Sequence, residues 1–338
     1  GYQRYSARVN AEYQAKEWLR VISSLSYTYG DSKSVASYTG FGSSGNIFYI
    51  TNNIAPIYPL YVRKLDENGN PYILTENGRT VYDANQTNFR RAWATGNAVR
   101  DNEINSKKQY SDLLNGKFGV VITPIKNLTI SANVGMMARN TRTNNLGSKF
   151  GSASGTDGYA EVYHNRTFTV NQQYLAEYKF AIADVHHFDF LAGYERYNWK
   201  GQQVYGYNDH LYNPYVGELS NADGLDQKTL SSYTDNYMTQ GFLARVQYDD
   251  NDTFFVSASY RRDASSRFAT GHRWGNFGSI GAAWVISKEN FFKADWVNML
   301  KIKASFGWQG NDDLNSDTYG NFPYADQYSH SYDGTNYN

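Results

Sequence analysis

Few residues in this chain stand at spacings that could do bond chemistry. Gly40-Phe41-Gly42-Ser43-Ser44-Gly45 matches the dinucleotide pattern G-x-G-x-x-G. That pattern binds phosphate only between a strand and a helix, and here it sits in a Gly/Ser stretch that reads as a loop. His186-His187, with Asp184 and Asp189 nearby, could begin a metal site. Such a site needs three or four convergent ligands with outer support, and nothing else nearby supplies them, so a solvated turn is expected. Asp249, Asp250, Asn251 and Asp252 suggest calcium, but the glycine and closing glutamate of the EF-hand order are missing. Between two strong strands this cluster predicts a tight polar turn. No G-x-S-x-G nucleophile elbow occurs. The absence of cysteine rules out disulfides, cysteine zinc sites and a cysteine nucleophile. No catalytic residue, metal or cofactor is assigned, and the chain is not expected to be an enzyme.

The aromatic residues are more informative. Tyr205, Tyr207, Tyr212 and Tyr215 crowd one expected loop among Asn208, Asp209, His210 and Asn213. Tyr319, Phe322, Tyr324, Tyr328 and Tyr332 crowd the last one, with Asp317, Asp326 and His330, and Trp93 stands in the first. Aromatic faces with polar neighbours suit the stacking of a sugar ring or the grip on a peptide. The competing reading is that such tyrosines pack on one another or on a partner, since tyrosine is also a generic interface residue. The candidate ligand-contacting residues are Trp93, Tyr205, Tyr207, Tyr212, Tyr215, Tyr319, Tyr324 and Tyr328.

The elements that must position these residues are strands. The chain has 338 residues, 31 of them Tyr, 29 Gly and only 6 Pro. Lys+Arg and Asp+Glu are 32 each, so the net charge is zero, and no basic nucleic-acid surface is expected. Mean hydropathy is −0.66, and no apolar run reaches the ~18 residues of a spanning helix. Period-two alternation dominates instead. Tyr5, Ala7, Val9, Ala11 and Tyr13 alternate with polar residues, as do Leu128, Ile130, Ala132, Val134 and Met136. Phe254, Val256, Ala258 and Tyr260 form another such row, and Leu300, Ile302, Ala304, Phe306 and Trp308 a fourth. Weaker copies lie at 18–29, 114–123, 172–181, 186–199, 238–249 and 276–287. Globular strands run to about 5–6 residues, whereas a tilted bilayer-crossing strand needs about 9–11. Aromatics near the ends of the apolar rows suit the two girdles of a membrane barrel.

The connections alternate in length. Short ones fall near 14–17, 124–127, 182–186 and 249–252, with a moderate one at 288–298. Long ones fall near 30–113, 141–167, 200–236 and 264–274, with another opening at 310–338. Short turns on one side and long loops on the other are the topology of outer-membrane barrels. Helical periodicity is confined to a short turn at Lys288–Trp296 with Ser287 as N-cap. Arg8, Arg20, Lys117, Arg245, Lys301 and Lys303 fall on the polar face and are expected to pair with neighbouring strands or a plug. The fold class is all-β, an antiparallel transmembrane β-barrel segment of about ten long strands, read as one continuous unit over 1–338.

Residues 253–311 carry four ordered blocks. They are Arg261-Arg262-Asp263-Ala264-Ser265-Ser266-Arg267-Phe268, Phe277 to Trp284, Ser287 to Phe292 with Glu289 and Phe291, and Leu300 to Asn311 with Gly307 and Gly310. In order and spacing they resemble the SusC/RagA family of TonB-dependent outer-membrane transporters. The resemblance implies a 22-stranded barrel with a plugged lumen, short periplasmic turns, long extracellular loops, and a place in the bacterial outer membrane among its lipids. It implies active import of an oligosaccharide, with a peptide as the alternative, beneath a SusD-type lipoprotein lid. A passive surface-binding or adhesion barrel is the other reading. The family's plug, its TonB-box segment and its final strands have no counterpart in this sequence, so the chain is expected to be an interior portion of the barrel, with contact to the TonB complex made through the plug region. The motif residues Arg262, Asp263, Ser266, Arg267, Phe268, Trp284, Glu289, Phe291, Gly307, Gly310 and Asn311 are expected to be structural, with the first four organising a strand end and its loop.

Overall fold

The structure is a computed structural model that describes residues 1–34, 51–53, 56–76, 78–83, 97–147, 158–225, 228–294, 296–313 and 324–325. Ten long strands form one antiparallel sheet: β1 (Tyr2–Lys16), β2 (Leu19–Ser34), β7 (Ser106–Ile125), β8 (Leu128–Gly147), β9 (Tyr159–Ile182), β10 (His186–Asp209), β11 (Lys228–Asp250), β12 (Phe254–Ser265), β13 (Trp274–Val285) and β14 (Lys301–Trp308). Each pairs with its neighbour in chain order, so the sheet is a simple meander. Between β2 and β7 lie two small hairpins, β3 (Arg63–Leu65) with β4 (Pro71–Ile73) and β5 (Thr75–Glu76) with β6 (Arg79–Thr80), followed by helix α1 (Ala98–Ile104).

The register explains why the alternation matters. Val9 pairs with Leu25, and Leu25 with Gly116. Gly116 pairs with Met136, and Met136 with Val170. Further on, Ala192 pairs with Ala244, Val246 with Ala258, Ala258 with Ile280, and Ile280 with Phe306. Every apolar row therefore lies on one face, because a shift of one residue in any pair would have turned that row over. The protein does not cover this face: Val9 is 69% and Phe306 70% exposed. Apolar surface of that extent is what a bilayer would cover. Among the described residues no helix is long and apolar enough to cross a membrane, which says nothing of strands.

Aromatic rings border the apolar face at two levels. Near the short turns, Phe180 stacks on Phe188 at 5.0 Å, Phe188 leans on Tyr248 at 5.0 Å, and Phe254 stacks on Trp284 at 5.6 Å. Nearer the long connections, Tyr194 meets Phe242 at 5.1 Å and Phe242 meets Trp274 at 6.2 Å. These are the two girdles that the sequence led us to expect, and between them small and branched side chains such as Ala192, Val246, Ala258 and Ile280 alternate with a few rings such as Phe190 and Phe306.

The short turns carry the residues their backbones demand. Asn251 and Asp252 have φ of 47° and 52°, and Thr253 N–H donates to the Asp250 carbonyl at 2.7 Å. Two successive positive φ values define the hairpin turn that Asn and Asp tolerate best, so of the run at 249–252 Asn251 and Asp252 form the tight turn expected, while Asp249 and Asp250 are the last residues of β11. His186 and His187 are the first two residues of β10 rather than a turn. Their rings reach across to Tyr248 and Asp249, each at 2.8 Å.

Three expectations need correction. The stretches at 141–167 and 200–236 are not mainly loop: β8 runs on to Gly147, β9 begins at Tyr159, β10 runs on to Asp209 and β11 begins at Lys228. These strands continue well beyond the apolar band, where no lipid requires alternation. Secondly, the described residues of 288–296 hold no α-helix; a 3₁₀ turn at Ile286–Lys288 overlaps their start, and Ser287 lies inside that turn instead of capping a helix. Thirdly, helix α1 lies in the stretch at 30–113 that showed no pattern. Asn97 caps it, its side chain accepting from Arg100 N–H at 3.1 Å. Gly40–Gly45 lies outside the described residues.

Candidate functional site: the inner face of the wall

The face opposite the apolar one is built from the polar half of each strand. Near the short turns it holds a concavity of about 1110 Å³ lined by Lys179, His187, Asp189, Phe255, Lys303 and others. Lys179 pairs with Glu177 at 2.9 Å and lies 3.7 Å from Asp189, which Arg245 approaches at 3.6 Å. Arg20 pairs with Glu12 at 3.0 Å, and Lys301 lies 4.0 Å above the Phe255 ring. The expected pairing of inner cations thus holds for Arg20 and Arg245. Among the described residues no ion pair involves Arg8, Lys117 or Lys303.

Nearer the long connections the inner face closes into a second cavity of about 510 Å³, lined in part by Glu195, Tyr197, Tyr237, Arg261, Asp263 and Phe277. Arg261 organises it. Its Nη2 donates to Glu195 Oε2 at 3.0 Å and to Asp263 Oδ1 at 3.2 Å, while its Nε donates to Asp263 Oδ2 at 3.2 Å. Gln173 fills the other Glu195 oxygen at 2.7 Å. Opposite Asp263 the ladder has Gly241; a Cβ there would lie 1.8 Å from Asp263 Oδ1, so only glycine leaves room for this carboxylate.

Residues 309–313, just past β14, cross the mouth of this cavity. Arg267 Nη1 donates to the Asp312 carbonyl at 3.1 Å and lies 3.4 Å from Asp313 Oδ1, and its guanidinium sits 4.6 Å above the Tyr237 ring. Tyr237 Oη donates to Asp312 Oδ2 at 2.5 Å. Ser266 Oγ accepts from Met238 N–H at 3.0 Å, which fastens the β12–β13 connection to β11.

The motif residues divide accordingly. Ser266 and Arg267 hold a strand end and its connection, and Phe268, Gly310 and Asn311 line the second cavity. A Cβ on Gly310 would collide with the Phe277 ring at 2.5 Å, and one on Gly307 would stand 3.0 Å from Ser279 Cβ. Trp284 Nε1 donates to Glu289 Oε1 at 3.0 Å and its ring meets Phe291 edge-on at 6.1 Å, which ties β13 to the turn that follows it. Arg262 is not part of the inner network. It lies on the outer face, 5.3 Å from the Trp274 ring, and Arg261 does the pairing beside Asp263. Alternation from Ser257 and Ser259 puts Arg261 inward, so this was readable from the parity of the strand.

Tyr205 and Tyr207 stand in β10, not in a loop, with their side chains on the inner face above the apolar band. Tyr205 and Tyr163 both donate to Glu161 Oε1, at 3.1 and 2.8 Å, and Asn145 donates to Glu161 Oε2 at 2.5 Å. Tyr207 stacks on Tyr159 at 5.4 Å. Tyr212 and Tyr215 do lie in the connection after β10. That connection folds onto the wall through Leu146, Ala160, Leu211 and Ala222, through Asn208, whose amide donates to the Leu219 and Ala222 carbonyls at 3.0 and 2.8 Å, and through Arg142, whose guanidinium donates to Glu218 Oε2 at 2.8 Å. Tyr215 lies beneath Arg79 at 3.9 Å, whereas Tyr212 is 68% exposed. Tyr324 is partly exposed, and Trp93, Tyr319 and Tyr328 lie outside the described residues.

A ten-strand meander with a bare apolar face, two aromatic girdles and a charged inner face is a stretch of membrane β-barrel wall. Known proteins agree. No family model matches. A TonB-dependent receptor of Formosa agariphila is 27% identical over 245 residues, covering 69% of this chain and 22% of the relative. The TonB-dependent receptor SusC of Bacteroides thetaiotaomicron is 22% identical over 180 residues, covering 49% of this chain and 17% of the relative. Among solved structures, the RagAB peptide transporter superposes with a TM-score of 0.74 at 22% identity, over 99% of this chain and 35% of that one. The RagAB importer in its closed-closed state gives 0.76 at 23% identity. In sequence the chain is similar to TonB-dependent receptors, SusC among them, and its fold is that of the RagAB transporter's barrel wall. It spans between 16% and 29% of the length of the curated relatives it matches.

Proposed function

We propose that this chain forms part of the barrel of a TonB-dependent importer in the bacterial outer membrane, taking up an oligosaccharide beneath a SusD-type lipoprotein lid. The observation that carries this is the inner face, which is mainly polar and aromatic from the short turns to the top of the wall, while the outer face is apolar across the band between the aromatic girdles. Such a wall surrounds a path for a hydrophilic solute. The chemistry of the barrel is binding and passage. Energy comes from TonB acting on a plug, and the wall supplies the inner ion pairs against which a plug rests. A peptide cargo is the second reading, favoured by the superposition on a peptide transporter.

Deletion of the gene in its host, followed by growth on neutral oligosaccharides or on peptides as sole nutrient, tests the reading. Loss of growth on one oligosaccharide, restored by the intact gene, is expected, and loss on peptides alone would replace the glycan reading with the peptide one. In the same assay Tyr212→Ala, at an exposed ring, should slow uptake without lowering the amount of folded receptor. Tyr207→Ala should slow it as well, if its ring contacts cargo as well as Tyr159. Unchanged uptake in both would leave these rings a packing role.

A further inference from the structure

The second inner cavity has the composition of a site for an uncharged, hydroxyl-rich ligand. Its walls include the aromatic residues Tyr197, Tyr237, Phe268, Trp274 and Phe277 beside the planar polar groups of Asn171, Glu195, Arg261, Asp263 and Asn311. Its volume of about 510 Å³ falls within the roughly 300–1,000 Å³ of small-molecule pockets. Its carboxylates are already matched. Glu195 and Asp263 share Arg261 at 3.0 and 3.2 Å, and Asp312 takes the Tyr237 hydroxyl at 2.5 Å with Arg267 Nη1 at 4.0 Å. A cationic ligand would have to break one of these pairs, leaving a half-buried charge without its partner, and an anionic one would face these carboxylates with only Arg196, His272 and Arg273 of the lining outside the pairs. A hydroxyl group need not. A carboxylate bridged to one guanidinium keeps lone pairs free, so Glu195 and Asp263 can accept from vicinal hydroxyls while the aromatic rings meet the C–H face of a sugar ring.

We propose that this cavity is a subsite for one residue of a neutral oligosaccharide, roofed by residues 309–313 and gripped by Phe277, Tyr197 and the Glu195–Arg261–Asp263 triad. The proposal rests on the importer reading and adds to it the site and the charge class of the cargo. The roof is part of the site, since Arg267 and Tyr237 hold Asp312, and hence Asn311, over the opening.

The test uses the full-length receptor purified in detergent. Calorimetric titration employs neutral hexasaccharides of glucose, mannose and xylose, with hexagalacturonic acid and tryptic casein peptides as charged probes. At least one neutral hexasaccharide should bind. Phe277→Ala should weaken that binding by about tenfold, the scale of one lost aromatic contact. Glu195→Gln keeps the shape of the site, should melt like the parent, and should weaken the same binding. Parent-like affinity in both variants would overturn the subsite while leaving a glycan importer intact. Binding of hexagalacturonic acid or peptides without any neutral sugar would overturn the charge class. Binding of no neutral hexasaccharide at millimolar concentration would overturn the proposal, and the growth assay above then decides separately whether the importer reading survives.

Discussion

The lower and upper halves of β9, β10 and β11 share one continuous hydrogen-bonded ladder but follow different sequence rules. In the lower half of β10 the outer positions are Phe188, Phe190, Ala192 and Tyr194; above them come Arg196, Asn198 and Lys200. The inner positions change the other way, from Asp189 and Glu195 to Trp199, Tyr205 and Tyr207. Backbone pairing is the same throughout, so it cannot be what sets the pattern. The solvent on each side does. Where lipid covers one face, an unbroken apolar row keeps to that face; where water reaches both faces, side-chain partners such as Glu161 with Tyr163 and Tyr205 take over the work of holding strands in place.

The sharpest way to break this comparison is to place a charge on each face at bilayer depth. Ala258→Arg, on the outer face between Val246 and Ile280, should cost about 2–4 kcal/mol of folding stability in lipid vesicles. Ser257→Arg, one residue away and facing inward, should cost clearly less. Equal costs would mean that the two faces do not see different solvents. A smaller effect is expected in the upper half. Glu161→Ala removes the acceptor of two tyrosine hydroxyls and one amide, worth about 1–3 kcal/mol locally. Hydrogen exchange should quicken at 159–167 and 200–209 and stay unchanged at the level of Ala192. Uniform quickening along β10 would show that the halves are one energetic unit.

The smallest effect lies in the outer excursion, away from the wall altogether. In the β3–β4 hairpin, Asp66 accepts from Asn70 N–H at 2.7 Å, from the Asn70 amide at 3.2 Å and from Asn68 N–H at 2.9 Å. These bonds, those from Asn70 foremost, hold its carboxyl below the ordinary carboxylate range. A depressed folded value means that the turn is fully supported above the unfolded pKa of about 4. The support is lost as pH falls through the folded value. An NMR titration of Asp66 should show a midpoint below the ordinary one, with the wall unaffected. A midpoint at or above the ordinary value would remove the turn's pH dependence.

Legibility followed the same boundary. The lipid-facing half of the fold could be read because alternation and aromatic ends are imposed by the bilayer; the rows at Leu128–Met136 and Phe254–Tyr260 lie inside β8 and β12. The upper wall could not, since Lys200-Gly201-Gln202-Gln203 satisfies its backbone as strand without any apolar rhythm. Helix α1 escaped because a single capped run of seven residues is too short for a periodic signal. Three of the four blocks of 253–311 supply residues of the second cavity, but the network inside depends on Glu195 and Gln173, far away in sequence, and only register brings them to Arg261. Tyr205 and Tyr207 were recognised as a cluster, while their acceptor, Glu161, belongs to another strand and carried no local mark.

The meander order has a bearing on how such a wall can diversify. Every wall strand pairs with the next wall strand in sequence, so no long connection has to pass between other wall strands to reach its partner. The chain between β2 and β7 and that between β10 and β11 can therefore lengthen or be replaced without re-registering the ladder. Closing a loop of twice the length adds only about 0.6 kcal/mol. The surface carried on these long connections is thus cheap to vary, while the wall that carries it stays fixed in its pairing.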